Sequence, residues 1–208
     1  MNDVTFVEVS RLGLSLAPLR GPRTVPAAEP CLAPMPLRVA RTPGGALEVL
    51  DGFKRLRRWI EEGRREVPAV IEEAEGPTMK ARLLQANTPP RTASPMDEVR
   101  VVRSLVEENG LSPVAIARLI GHKPAWVARR LALSRRLAAE LTAPLDRGTL
   151  SFSLALGLSE FPKSEQVRLA ESASRHRLSL AEAKAFLATW RAVPDAALRE
   201  ALLADPRS

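Results

Sequence analysis

Apolar positions follow two different periods early in the chain and a single helical one later. From Val4 to Val9 they alternate as in a half-buried strand, with Phe6 and Val7 on opposite faces. Residues 36–41, a Pro-Gly-Gly turn and residues 47–50 read as a β-hairpin, and Val67 to Ile71 as another strand. Between them Gly52 opens a helix running to about Glu62, with Leu56, Trp59 and Ile60 on one face. A further helix from Pro77 to about Ala86 starts with proline in its first turn, where the missing N–H costs nothing. The stretch from Pro18 to Pro36 carries six of the eighteen prolines and is expected to hold little regular structure.

From Ser94 onward the pattern is helical throughout. Ser94 caps a helix whose first turn carries Pro95, Asp97 and Glu98; Val99, Val102, Leu105 and Val106 form its stripe, and Asn109-Gly110 ends it. Ser112 caps the next helix, with Pro113 at its first position. Further helices are expected at about 124–133, 135–147, 151–158, 163–175 and 179–191, the last headed by a Ser179/Glu182 capping box. A short helix from Pro194 to Leu203 follows. The predicted class is α+β: a small mixed N-terminal domain over 1–92, an all-α domain over 93–192, and a tail over 193–208.

Charge sharpens this picture. Arg118, Lys123, Arg129, Arg130, Arg135 and Arg136 lie between Glu108 and Glu140 with no acidic residue among them, which accounts for nearly all of the formal +7. The basicity is therefore local, as in a nucleic-acid-binding surface. An apolar fraction of 45% can build a core, although tyrosine is absent and aliphatic side chains must do the packing. The single cysteine, Cys31, excludes an internal disulfide and argues against a cysteine-based zinc site. No apolar run approaches the roughly 20 residues of a membrane span, and no signal-peptide pattern opens the chain. A cytoplasmic protein is expected.

The basic run coincides with a helix-turn-helix pattern at about 112–133. Ala117 is the small residue such a motif needs where its helices cross, and Gly121 allows a turn at positive φ. Ile116, Leu119, Ile120, Val127 and Leu131 are placed to bury, which leaves Lys123, Ala125, Arg129 and part of Trp126 outward at the start of the second helix. Such positions reach base edges in the major groove. Arg129 is the candidate guanine partner, and Arg118, Arg130, Arg135 and Arg136 are candidate phosphate contacts. The bland alternative is a helical hairpin with a solvated basic face.

Two segments, in this order, resemble the ParB/Spo0J-like partition family. Residues 36–58, containing Leu47-Glu-Val-Leu-Asp-Gly-Phe-Lys-Arg-Leu-Arg-Arg58, are similar to the strand–turn–strand and glycine–arginine box of the ParB/sulfiredoxin-like N-terminal domain. Gly121-His-Lys-Pro-Ala-Trp-Val-Ala-Arg-Arg-Leu-Ala-Leu133 is similar to the family's recognition-helix region, and the similarity continues through 146–155. The resemblance implies double-stranded DNA as partner, a homodimer, a partition ATPase, and a nucleoid- or plasmid-associated location. It also implies CTP with Mg²⁺ at a box made of Gly52, Lys54, Arg55 and Arg57 or Arg58, with Asn87 from a later motif. That later motif departs from the family: its glutamate is Ala86, and Arg91 stands one place late, so hydrolysis is not expected. The short proline-rich start, and no family-type dimerisation segment after residue 190, also mark a divergent member.

The expected function is DNA binding in plasmid or chromosome partition, or in mobile-element or transcriptional regulation. Catalysis has little support. Phe53 takes the place of the cysteine that a sulfiredoxin carries in its box, and Glu61, Glu62, Glu72, Glu73 and Glu75 are spaced as solvated surface rather than as a nuclease's metal cluster. His122 and His176 are isolated in sequence. The rival classes are a protein-interaction adaptor and a CTP-dependent switch.

Overall fold

Hydrophobic alternation builds a five-stranded mixed sheet in the first part of the chain. The computed structural model describes residues 3–21, 35–86 and 93–207. Asn87, Arg91, Cys31 and most of the proline-rich stretch lie outside them. The strands are β1 (Val4–Glu8), β2 (Leu12–Gly13), β3 (Leu37–Arg41), β4 (Leu47–Asp51) and β5 (Glu66–Glu73), in the order β1-β5-β3-β4-β2. β3 and β4 form the expected antiparallel hairpin, β1 pairs antiparallel with β5, and β5 runs parallel to β3. The two-residue strand β2, parallel to β4, is too short to show as a period in the sequence.

Helix α1 (Phe53–Glu61) connects the hairpin to β5, and Leu56 and Trp59 join Leu37, Val39, Val49 and Val67 in one core. Helix α2 (Gly76–Gln85) follows β5. Helix α3 (Pro95–Glu107) begins with a complete capping box, Ser94 accepting from the Asp97 amide at 3.1 Å and Asp97 accepting from the Ser94 amide at 2.9 Å. Asp97 is fully buried; it also accepts from the Gly21 amide at 2.6 Å and lies 3.3 Å from both Arg20 and Arg100. Helix α4 (Pro113–Ile120) packs with α2 and α3. Lys80 of α2, itself buried, ties down the end of α3 through Glu108 at 2.7 Å and Asn109 at 2.8 Å.

The chain divides into two compact units, Met1–Val127 and Ala128–Ser208. Helix α5 (Pro124–Arg136) runs through that division, and the last strand, β5, ends at Glu73, after which the described elements are helical. The second unit contains α6 (Thr142–Asp146), α7 (Phe152–Leu158), α8 (Lys163–Arg175), α9 (Leu180–Ala192) and α10 (Ala196–Ala204). The sequence places a break near residue 134 and a helix at 135–147. Instead α5 continues to Arg136, and a 3₁₀ turn at Ala139–Leu141 leads into a short α6. No proline or glycine interrupts 125–143, so local signals there did not fix the break. Among the described residues no helix is long and apolar enough to cross a membrane.

Candidate nucleic-acid interface

Local chemistry sets each half of α4–turn–α5. Ser112 accepts from the Ala115 amide at 3.2 Å, and Pro113 occupies the first turn, so α4 starts where its sequence says. Gly121 ends it at φ 76°, ψ 31°, and the His122 amide donates back to the Ala117 carbonyl at 2.8 Å. Any L side chain at Gly121 would be strained by that φ. Ala117, Ile116 and Ile120 are buried on α4, as are Val127 and Leu131 on α5, while Leu119 is half-buried.

The cations of this segment differ from most of the chain's other arginines. Elsewhere Arg38 pairs with Glu72 at 2.8 Å, Arg58 with Glu62 at 2.9 Å, Arg103 with Glu107 at 2.8 Å and Arg168 with Glu200 at 2.6 Å. Arg118, Lys123, Arg129, Arg135 and Arg136 are all exposed, and none of their side chains makes a hydrogen bond or ion pair among the described residues. The acid-free run is the cause, since the positions three and four residues away on each helix carry no carboxylate that could pair with them. Ala125, Arg129 and Arg136 share one stripe of α5, with about 10 Å of helix between the two arginines. A surface of this kind keeps its charge available to an external anion.

Arg130 departs from the expectation of a surface phosphate contact. It is 8% exposed, and its guanidinium sits 4.4 Å above the Phe152 ring at the start of α7. Its position one residue after Arg129 turns it by about 100° around the helix, away from the exposed stripe. Trp126 is half-exposed and stacks on His122, with ring centroids 4.1 Å apart and planes 2° from parallel. That pairing was not legible from the sequence, although the four-residue spacing is the only signal that would have suggested it.

The glycine–arginine box is arranged differently. Gly52 is the buried N-cap of α1 at φ 99°, and a Cβ there would lie 2.5 Å from the Leu37 side chain. The close contact and the positive φ together favour glycine here. Arg55 donates to the carbonyls of Met35 at 2.5 Å and Pro36 at 3.0 Å and to Asp51 at 3.0 Å. Arg58 holds Glu62, Lys54 and Arg57 are exposed, and Ala86 supplies no carboxylate. The central arginine of the box is thus held by Asp51 and two backbone carbonyls, while Lys54 and Arg57 face solvent. Among the described residues no group of three or more His, Cys, Asp or Glu side chains could hold a metal ion.

No family model matches the chain. The curated relatives it resembles are partition proteins. It is 32% identical over 156 residues to the chromosome-partitioning protein Spo0J of Thermus thermophilus, covering 69% of this chain and 57% of that one. It is 25% identical over 145 residues to a probable chromosome-partitioning protein ParB of Vibrio cholerae, covering 70% of this chain and 49% of that one. The chain thus spans about half the length of the curated relatives it matches. Among solved structures, C-terminally truncated ParB of Caulobacter crescentus, complexed to the centromeric parS site, superposes with a TM-score of 0.53 at 21% identity, covering 89% of this chain and 99% of that one. The mixed sheet followed by helices is that fold, and the chain is a divergent ParB/Spo0J-like protein.

Proposed function

We propose that this chain binds double-stranded DNA through α4, the Gly121 turn and α5, used as a helix-turn-helix. The observation that carries the reading is the set of exposed cations on this acid-free segment whose side chains have no partner among the described residues. Lys123, Ala125, Trp126 and Arg129, at the start of α5, are the base-edge candidates, with Arg129 suited to a guanine. Arg118, Arg135 and Arg136 are the phosphate contacts, and Arg130 is a packing residue. The relatives' names favour partition of a chromosome or plasmid over transcriptional or mobile-element regulation. By the same kinship a homodimer on a two-fold site, a partition ATPase and a nucleoid- or plasmid-associated, cytoplasmic location belong to the reading. The functional division runs at 92/93, with a box-bearing domain before it and the DNA-binding domain after it.

CTP with Mg²⁺ is the weaker part of the kinship, because Arg55 would have to exchange Asp51 and two carbonyls for phosphate oxygens. Fluorescence anisotropy with a labelled duplex over a salt series, with and without CTP and Mg²⁺, tests both parts. DNA binding through α5 predicts affinity that falls steeply with salt and is lost in Lys123→Ala/Arg129→Ala. An adaptor that docks a protein through apolar contacts predicts no duplex binding at low salt. A nucleotide-dependent increase in duplex affinity would restore the box as a ligand site.

A further inference from the structure

Gln166 is fully buried on α8 and meets each of its hydrogen-bonding demands. Its side-chain oxygen accepts from the Ala138 amide at 2.8 Å, and its side-chain nitrogen donates to the Arg136 and Phe161 carbonyls, each at 2.8 Å. One amide therefore clamps the backbone just past α5 to the turn that starts α8. Such a fully satisfied polar contact in a core fixes geometry more than it adds stability. The turn it grips leads through Pro162 to Lys163, which is exposed and has no partner among the described residues. The acids flanking Lys163 are engaged elsewhere: Glu160 holds Arg191 at 2.5 Å, and Glu165 accepts from the Trp190 indole at 2.7 Å.

We propose that the end of α5 and the start of α8 form one surface for the duplex backbone, made of Arg135, Arg136 and Lys163, with Gln166 as the positioning residue that joins its two parts. This rests on the DNA-binding reading above and extends it to a second helix. Its ligand is the phosphodiester backbone, with no part in base recognition.

The test is the dependence of duplex affinity on salt between roughly 50 and 200 mM, where each lost phosphate contact lowers the log–log slope by about 0.9. Lys163→Ala, a surface change, is expected to reduce that slope by about 0.9, so its affinity falls about 3.5-fold less across the range than the wild type's. Gln166→Met is expected to lower slope and affinity in the wild type and to change neither in an Arg135→Ala/Arg136→Ala/Lys163→Ala background. A general packing role for Gln166 would weaken binding equally in both backgrounds, and that additivity would overturn the positioning role. A wild-type slope in Lys163→Ala would overturn the surface itself. Should Gln166→Met fail to fold, coupling between Lys163→Ala and Arg136→Ala decides the matter, because independent side chains give additive losses. Failure of the wild type to bind any duplex sinks the DNA reading and this surface with it, whereas normal wild-type binding with an unchanged Lys163→Ala slope sinks this surface alone.

Discussion

Neighbouring arginines on α5 should answer the same substitution in opposite ways. Arg130 is 8% exposed, with its guanidinium 4.4 Å over Phe152, while Arg129 is exposed and unpaired among the described residues. Arg130→Ala removes two buried methylenes, Cγ and Cδ, at about 0.8 kcal/mol each. It also removes a cation–π contact worth roughly 0.5–2 kcal/mol. A loss of about 2–4 kcal/mol in unfolding free energy follows from these two contributions. Arg129→Ala deletes only solvated surface and should change stability by less than about 0.5 kcal/mol. Urea denaturation followed by circular dichroism measures both, and Phe152→Ala combined with Arg130→Ala isolates the pair; a coupling of about 1 kcal/mol is expected. Duplex binding should show the reverse order, Arg129→Ala losing affinity and salt slope while folded Arg130→Ala retains the slope. An unchanged urea midpoint for Arg130→Ala, with a salt slope reduced as in Arg129→Ala, would refute the assignment of Arg130 to packing.

Other consequences follow from the same packing and electrostatics. Gly52→Ala places a Cβ 2.5 Å from Leu37 at φ 99°, so it should cost about 1–3 kcal/mol or more in thermal or urea unfolding, with no nucleotide present. Asp97→Ala removes the buried acceptor shared by the half-buried Arg20 and Arg100 and by the Gly21 and Ser94 amides, and should cost about 3–5 kcal/mol. Amide exchange at Gly21 should rise along with that loss. The Arg207 guanidinium, followed by the Ser179 cap, holds the Glu182 carboxyl down to about 2. Because the folded pKa is the lower one, this contribution is present above the usual carboxylate range and is lost as pH falls from there through about 2. Side-chain NMR titration should show Glu182 moving toward the ordinary value in Arg207→Ala.

Much of this architecture could be read before the structure, because the local signals agreed with one another. Ser94, Ser112 and Ser179 each cap the helix that follows, and the hairpin, α1, β5 and α2 fall within a few residues of their periodic patterns. Features that depend on long-range contacts were not legible. β2 is defined by two pairs with β4, the α5 end is set by Gln166 some thirty residues away, and Arg130 is buried by an aromatic ring on another helix. The candidate interface was legible to the extent that charge was: five of the six basic residues are exposed, and burial, which sequence does not report for arginine, removes the sixth. The box was read for its residue types, yet its central arginine turns inward to Asp51 and backbone carbonyls that no motif encodes.

The most direct measurement is an amide chemical-shift map of the ¹⁵N-labelled chain titrated with a short duplex at low salt. The account predicts the largest changes from Gly121 to Arg136, with a smaller set at Lys163, all reversed by raising salt. Changes confined to the β-sheet, or none at all with the protein folded, would contradict it.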